Sequence, residues 1–120
     1  FDTAVRFASG FGGGMGRLRE VCGTFSGAVI VVNALYGYSD PKNVQAKAEL
    51  YSRIQEFAAQ FRRDNGSIIC KELLGLSRPE GSPIPEARTD EYYKKRPCPE
   101  LCRYSANMLE EYIREHPPVK

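Results

Sequence analysis

The sequence predicts an all-α protein, a compact bundle of about four to five helices forming one domain over residues 1–120, with a long proline-rich loop before the C-terminal helix. Three observations carry that expectation. Between Val44 and Phe61 apolar residues return every three or four positions, the period of one helix face. The apolar stretch ending at Tyr36 is too long for a typical strand, and the rest of the chain offers it no partner strand. Asp40-Pro41 and Cys98-Pro99 place proline where helices begin.

Element by element, Thr3 to Phe11 reads as a short helix, with Ala4, Val5, Phe7, Ala8 and Phe11 as its apolar residues. Gly10-Phe11-Gly12-Gly13-Gly14-Met15-Gly16 follows as a backbone-permissive break, a hinge that lets two helices pack closely. A second helix is expected from about Arg17 to Tyr36, even though its β-branched run Val29–Val32 also suits a buried strand. Gly23 and Gly27, four apart, would share a face against a neighbouring backbone or a bulky group. Asp40 is expected as N-cap and Pro41 as first residue of a helix running to Arg63, with Val44, Ala48, Tyr51, Ile54, Ala58 and Phe61 as its inward stripe. Arg62, Arg63, Asn65 and Gly66 mark its end. A short helical turn around Cys70 closes at Gly75, and a loop containing Pro79, Gly81, Pro83 and Pro85 extends to about Arg96. The last helix starts at Cys98-Pro99, turns Leu101, Ser105, Met108, Leu109 and Tyr112 inward, and stops at Pro117-Pro118.

Composition excludes several functional classes. Hydrophobic residues at 42% and charged residues at 27% suit a packed core and argue against disorder. A net charge of +2 is too mild for nucleic-acid binding. Lys94-Lys95-Arg96 is too short for a polybasic membrane patch, and no segment approaches the roughly 20 apolar residues of a membrane span. The opening FDTAVRFASGF has no signal-peptide pattern, so a cytoplasmic location is expected. Beginning at Phe rather than Met, the chain reads as a fragment or processed product of something longer.

Four cysteines are the chemically informative residues: Cys22, Cys70, Cys98 and Cys102. In a reducing compartment such residues serve catalysis, redox exchange or metal binding more often than structural cross-linking. Cys22 precedes Gly23, whose missing side chain leaves room for a second sulfur, a metal or a small substrate; taken alone, a buried inert thiol is the commoner reading. Cys98 falls at a helix N-cap just after Lys94, Lys95 and Arg96, a setting that favours the thiolate, and Cys102 lies one turn further on. Cys98-x3-Cys102 is not the C-x-x-C spacing of thioredoxin-like proteins. Cys70 by itself reads as a core thiol. The glycine run lacks the Lys-Ser/Thr of a phosphate loop, and the sole histidine, His116, disfavours a Cys/His nucleophile pair.

Taken together, Ala8–Gly16, Glu20-Val21-Cys22-Gly23 with Gly27, Ser67–Gly75 and Cys98-Pro99 resemble the C_GCAxxG_C_C family, redox-active proteins of bacteria and archaea named for their cysteine pattern. The resemblance covers essentially the whole chain. It implies a helical domain with four characteristic cysteines, of which Cys22, Cys70 and Cys98 match the second, third and fourth. Thr24 replaces the family's usual Ala, Cys102 stands where an aliphatic residue is usual, and the first family cysteine is expected on a helix upstream of Phe1. A similar cysteine domain accompanies haems in split-Soret cytochromes, where an iron–sulfur site has been suspected, and this resemblance lends weight to a cluster.

Three functions follow as expectations. The first is thiol/disulfide or electron transfer through Cys22, Cys70 and Cys98, with Cys98 as the activated thiolate and a redox partner protein of unknown identity. The second is an iron–sulfur cluster or other metal held by Cys22, Cys70, Cys98 and Cys102. The third is a non-catalytic helical interaction domain. Tyr92, Tyr93 and the apolar face of the first helix point to a homodimer.

Overall fold

The computed structural model describes residues 1–75 and 97–118, and among them every regular element is helical. The proline-rich loop expected over 76–96, with Tyr92 and Tyr93, lies outside the described residues.

Helix α1 spans Asp2–Ala8 and continues as a 3-10 turn, Ser9–Phe11. It buries no residue, and Phe1, Val5 and Phe7 are exposed. The glycine break that follows is more than a hinge. Gly12–Met15 form one turn whose Gly13 and Gly14 are left-handed, and Met15, Gly16, Arg17 and Arg19 also have positive φ. For a non-glycine residue this backbone costs roughly 1–2 kcal/mol. It is held by hydrogen bonds from Gly16 N–H to the Gly10 carbonyl (2.8 Å) and from Glu20 N–H to the Gly14 carbonyl (2.9 Å).

Helix α2 spans Gly23–Tyr36, not the expected Arg17–Tyr36. The six preceding residues cannot be helical, because their backbone groups are committed elsewhere. Cys22 N–H donates to the Ile68 carbonyl at 2.7 Å, Cys70 N–H donates to the Glu20 carbonyl at 2.5 Å, and Val21 forms an antiparallel bridge with Ile69. The β-branched run is helical as expected, and Phe25, Ala28 and Val32 are buried.

Helix α3 spans Val44–Asn65. Its N-cap is Asn43, whose side chain accepts the Ala46 N–H at 3.0 Å. Asp40 was the expected cap, but its carboxylate accepts the Lys42 N–H at 2.9 Å, so Asp40-Pro41 build a separate turn just ahead of the helix. Gly66 ends the helix at φ +94°, a conformation that favours glycine. The inward stripe is rotated from the expected one. Leu50, Phe57, Ala58 and Phe61 are buried, whereas Val44, Ala48 and Tyr51 are exposed.

Helix α4 is the short turn Cys70–Leu73, and α5 spans Cys98–Glu115. The N-cap of α5 is Pro97, so Cys98 is the first helical residue rather than the expected cap. Leu101, Ser105 and Met108 face the core as expected.

Aromatic contacts fix the relative directions of the three long helices. Tyr36, the last residue of α2, meets Tyr112 near the end of α5 with ring centroids 5.7 Å apart, and its hydroxyl donates to the His116 carbonyl at 2.6 Å. Phe25 in the first turns of α2 and Tyr104 in the first half of α5 both pack on Phe61, near the end of α3. Helices α2 and α5 therefore run parallel and α3 runs antiparallel to both. Phe61 and Val32 are the most fully buried side chains at the centre. No helix among the described residues is long and apolar enough to cross a membrane.

Candidate functional site

This topology puts the starts of α2 and α5 at the same end of the bundle, and every cysteine lies there. Cys22 is the N-cap of α2, while Cys98 and Cys102 occupy the first turns of α5. Cys70 begins α4, which the Val21–Ile69 bridge ties to the segment leading into Cys22. Cys22 and Cys70 thus lie diagonally across one two-stranded bridge, a relation that sets Cα atoms roughly 7–8 Å apart. That separation exceeds the ~7 Å reach of a disulfide, so this pair closes one only if the backbone moves.

Each thiol has its own surroundings. Cys22 is buried as part of the core cluster with Phe25, Phe61 and Leu101, and its sulfur shares a hydrogen bond with the Thr24 hydroxyl at 3.1 Å. The room expected beside it at Gly23 is occupied, because a Cβ there would meet the Phe11 carbonyl oxygen at 2.7 Å. The second glycine of that face, Gly27, has no neighbour within 4 Å of its Cβ position.

Cys70 is buried against the left-handed turn. A Cβ on Gly14 would meet the Cys70 Cβ at 2.6 Å, so only glycine lets the two backbones approach this closely. Arg19, itself 4% exposed, donates from a guanidinium nitrogen to the Cys70 sulfur at 3.7 Å. Arg19 falls inside the helix expected over Arg17–Tyr36, where nothing in its position marks it as a partner of Cys70. The positive φ values that turn it inward come from backbone bonding between segments far apart in sequence, which carries no periodic signal.

Cys98 is half-buried and Cys102 exposed. Burial, and secondarily the nearby charge of Cys22, push the Cys102 thiol above its ordinary pKa. No disulfide joins any two of these four cysteines. Lys94, Lys95 and Arg96, expected to activate Cys98, fall outside the described residues. Among the described residues no three His, Cys, Asp or Glu side chains are grouped to hold one metal ion, so the full set Cys22, Cys70, Cys98 and Cys102 shares an end of the bundle without forming a single ligand shell.

The far end of the bundle is chemically different. A cavity of about 430 Å³ there is lined by Leu35, Tyr36, Glu49, Arg53 and His116. The Arg53 guanidinium lies 4.3 Å from the Tyr36 ring centroid, and His116 stacks on Tyr112 at 4.1 Å. The sole histidine is thus a helix-length away from the thiols. Residues 1–112 match the family model described as "Putative redox-active protein (C_GCAxxG_C_C)". No curated protein and no solved structure matches the chain.

Proposed function

The chain belongs to the C_GCAxxG_C_C family of redox-active proteins, and from that membership we propose that it works as a thiol/disulfide redox protein whose reacting groups are the cysteines at one end of its bundle. The observation that carries this reading is the convergence of Cys22 and Cys70, distant in sequence, on one backbone bridge at the end where Cys98 and Cys102 begin α5. In such a reaction two protein thiols give up two electrons and two protons, and a disulfide on the partner is reduced to two thiols. Arg19 is the positioning residue for Cys70, since its guanidinium holds the sulfur and meets negative charge that develops there as a sulfur–sulfur bond breaks. This reading shifts weight from Cys98, the activated thiolate expected from sequence, toward the buried Cys22 and Cys70. It favours thiol exchange over a four-cysteine metal centre because the sulfurs are not grouped as one ligand set.

The test is a redox titration in dithiol/disulfide buffers with quantification of free thiols. The expected result is a reversible two-electron couple. Arg19→Lys, which keeps the charge but loses the planar fork, should shift the midpoint potential or slow exchange at Cys70 while leaving the helical signal intact. Four thiols that stay reduced across the whole buffer range would overturn the reading.

A further inference from the structure

We propose that the cavity at the aromatic end binds a small zwitterion, a free α-amino acid with an apolar side chain, whose carboxylate sits on Arg53 and whose ammonium group sits beside Glu49. The site lies at the end of the bundle opposite the thiols and is independent of their chemistry.

Arg53 is preorganised for a carboxylate. Its guanidinium lies over the Tyr36 ring, 4.3 Å from the centroid, and one of its nitrogens donates to the Tyr112 hydroxyl. These two aromatic partners hold the planar fork in place without neutralising its charge. Among the described residues no carboxylate pairs with Arg53. A guanidinium carries several N–H donors in a fixed fork, so donors remain for a carboxylate bound through both oxygens.

Glu49, one turn earlier on α3, supplies the opposite pole. Glutamate four residues before arginine is the favourable order for an ion pair on a helix surface. The two nevertheless do not pair, and Glu49 instead accepts the Gln45 side-chain amide at 3.4 Å. Both line the same cavity. Residues at this spacing have Cβ atoms roughly 5–6 Å apart, within the span of one small molecule. Opposite charges kept apart in one cavity suit a ligand that carries both.

The surrounding backbone selects against a simple anion. Because α2 and α5 run parallel, both finish at this end, at Tyr36 and Glu115, and helix ends of this kind present carbonyls with partial negative charge. Helix α3 starts here, but its N-cap is Asn43, more than a turn before Glu49, and the dipole effect is confined to the first turn. A phosphate on Arg53 would face Glu49 and these carbonyl ends, whereas an ammonium group is attracted by both. Leu35, Pro117 and the Tyr36 ring give the ligand's side chain an apolar wall. The rim is fixed by the Tyr36 hydroxyl on the His116 carbonyl and by His116 stacking on Tyr112. At about 430 Å³ the cavity has the size of a small-molecule site.

The test uses the full chain in calorimetric titrations and thermal melts. The probes are L-leucine, L-phenylalanine, isocaproate (leucine without its ammonium group), isoamylamine (leucine without its carboxylate) and inorganic phosphate. At least one of the two amino acids should bind at one per chain and raise Tm. Isocaproate, isoamylamine and phosphate should each bind at least about tenfold more weakly than the better amino acid. Glu49→Gln, at an exposed position, should weaken amino-acid binding about tenfold or more while leaving isocaproate unchanged or tighter. Loss of folding cannot produce that reversal. Arg53→Lys, which keeps the charge and loses the fork, should weaken the amino acid and isocaproate together. No stabilisation by either amino acid at about 10 mM would overturn the proposal. So would isocaproate or phosphate binding as tightly as the amino acid, which would make this a plain anion site, or wild-type amino-acid affinity in Glu49→Gln.

Discussion

At the scale of single residues, the cysteine end depends on close approach between backbones. Gly14 is the most constrained position, since its φ is +70° and an added Cβ would sit 2.6 Å from the Cys70 Cβ and 2.7 Å from the Glu20 nitrogen. Gly14→Ala should therefore cost about 2–4 kcal/mol through overpacking and left-handed strain. Urea denaturation measures the loss, and altered Cys70 reactivity in the folded variant reports displacement of α4. Tyr104 is a second informative residue. Burial, its hydrogen bond to Asp64 and the charge of that carboxylate push its pKa up to about 12. Because the folded value lies above the unfolded one, the stability it contributes is complete below the ordinary tyrosine pKa and is lost as pH rises from there through about 12. Tyr104→Phe should remove that alkaline step from the stability profile and cost about 0.5–1.5 kcal/mol at neutral pH.

At the scale of elements, the ends of helices are set by specific side chains, and the expected starts of α2, α3 and α5 all moved. Asn43 satisfies the first turn of α3 through the Ala46 N–H, while Asp40 serves the turn before it. Asn43→Ala is expected to destabilise the protein by about 1 kcal/mol. Asp40→Ala should cost clearly less, and a thermal melt of the two variants side by side distinguishes the caps. Helix α2 begins six residues later than its hydrophobic pattern suggests, because the segment before it pairs with Ile68 to Lys71. A local pattern signals how apolar a stretch is. It does not signal that a strand-like bridge elsewhere has claimed the first backbone groups.

At the scale of the whole molecule, two parallel helices packed on each other, with a third antiparallel to both, divide the bundle into a thiol end and an aromatic end with its cavity. Phe61, with no exposed surface, joins α3 to Phe25 of α2 and Tyr104 of α5. Phe61→Ala should cost about 3–5 kcal/mol and weaken all three contacts together, so unfolding monitored by helix content and by cysteine protection should shift in parallel. The all-α class, the three long helices and the family were legible in the chain, because apolar periodicity, proline and glycine at helix ends, and cysteine–glycine spacing are local features of sequence. The rotation of the α3 stripe was not, since which of several apolar positions turns inward depends on the helices that arrive to cover it. Arg19 beside Cys70, and the shared end occupied by four cysteines, also required the tertiary structure. Those relations arise when a left-handed turn, a single β-bridge and parallel helix packing bring distant segments together, and each depends on contacts whose partners lie tens of residues apart.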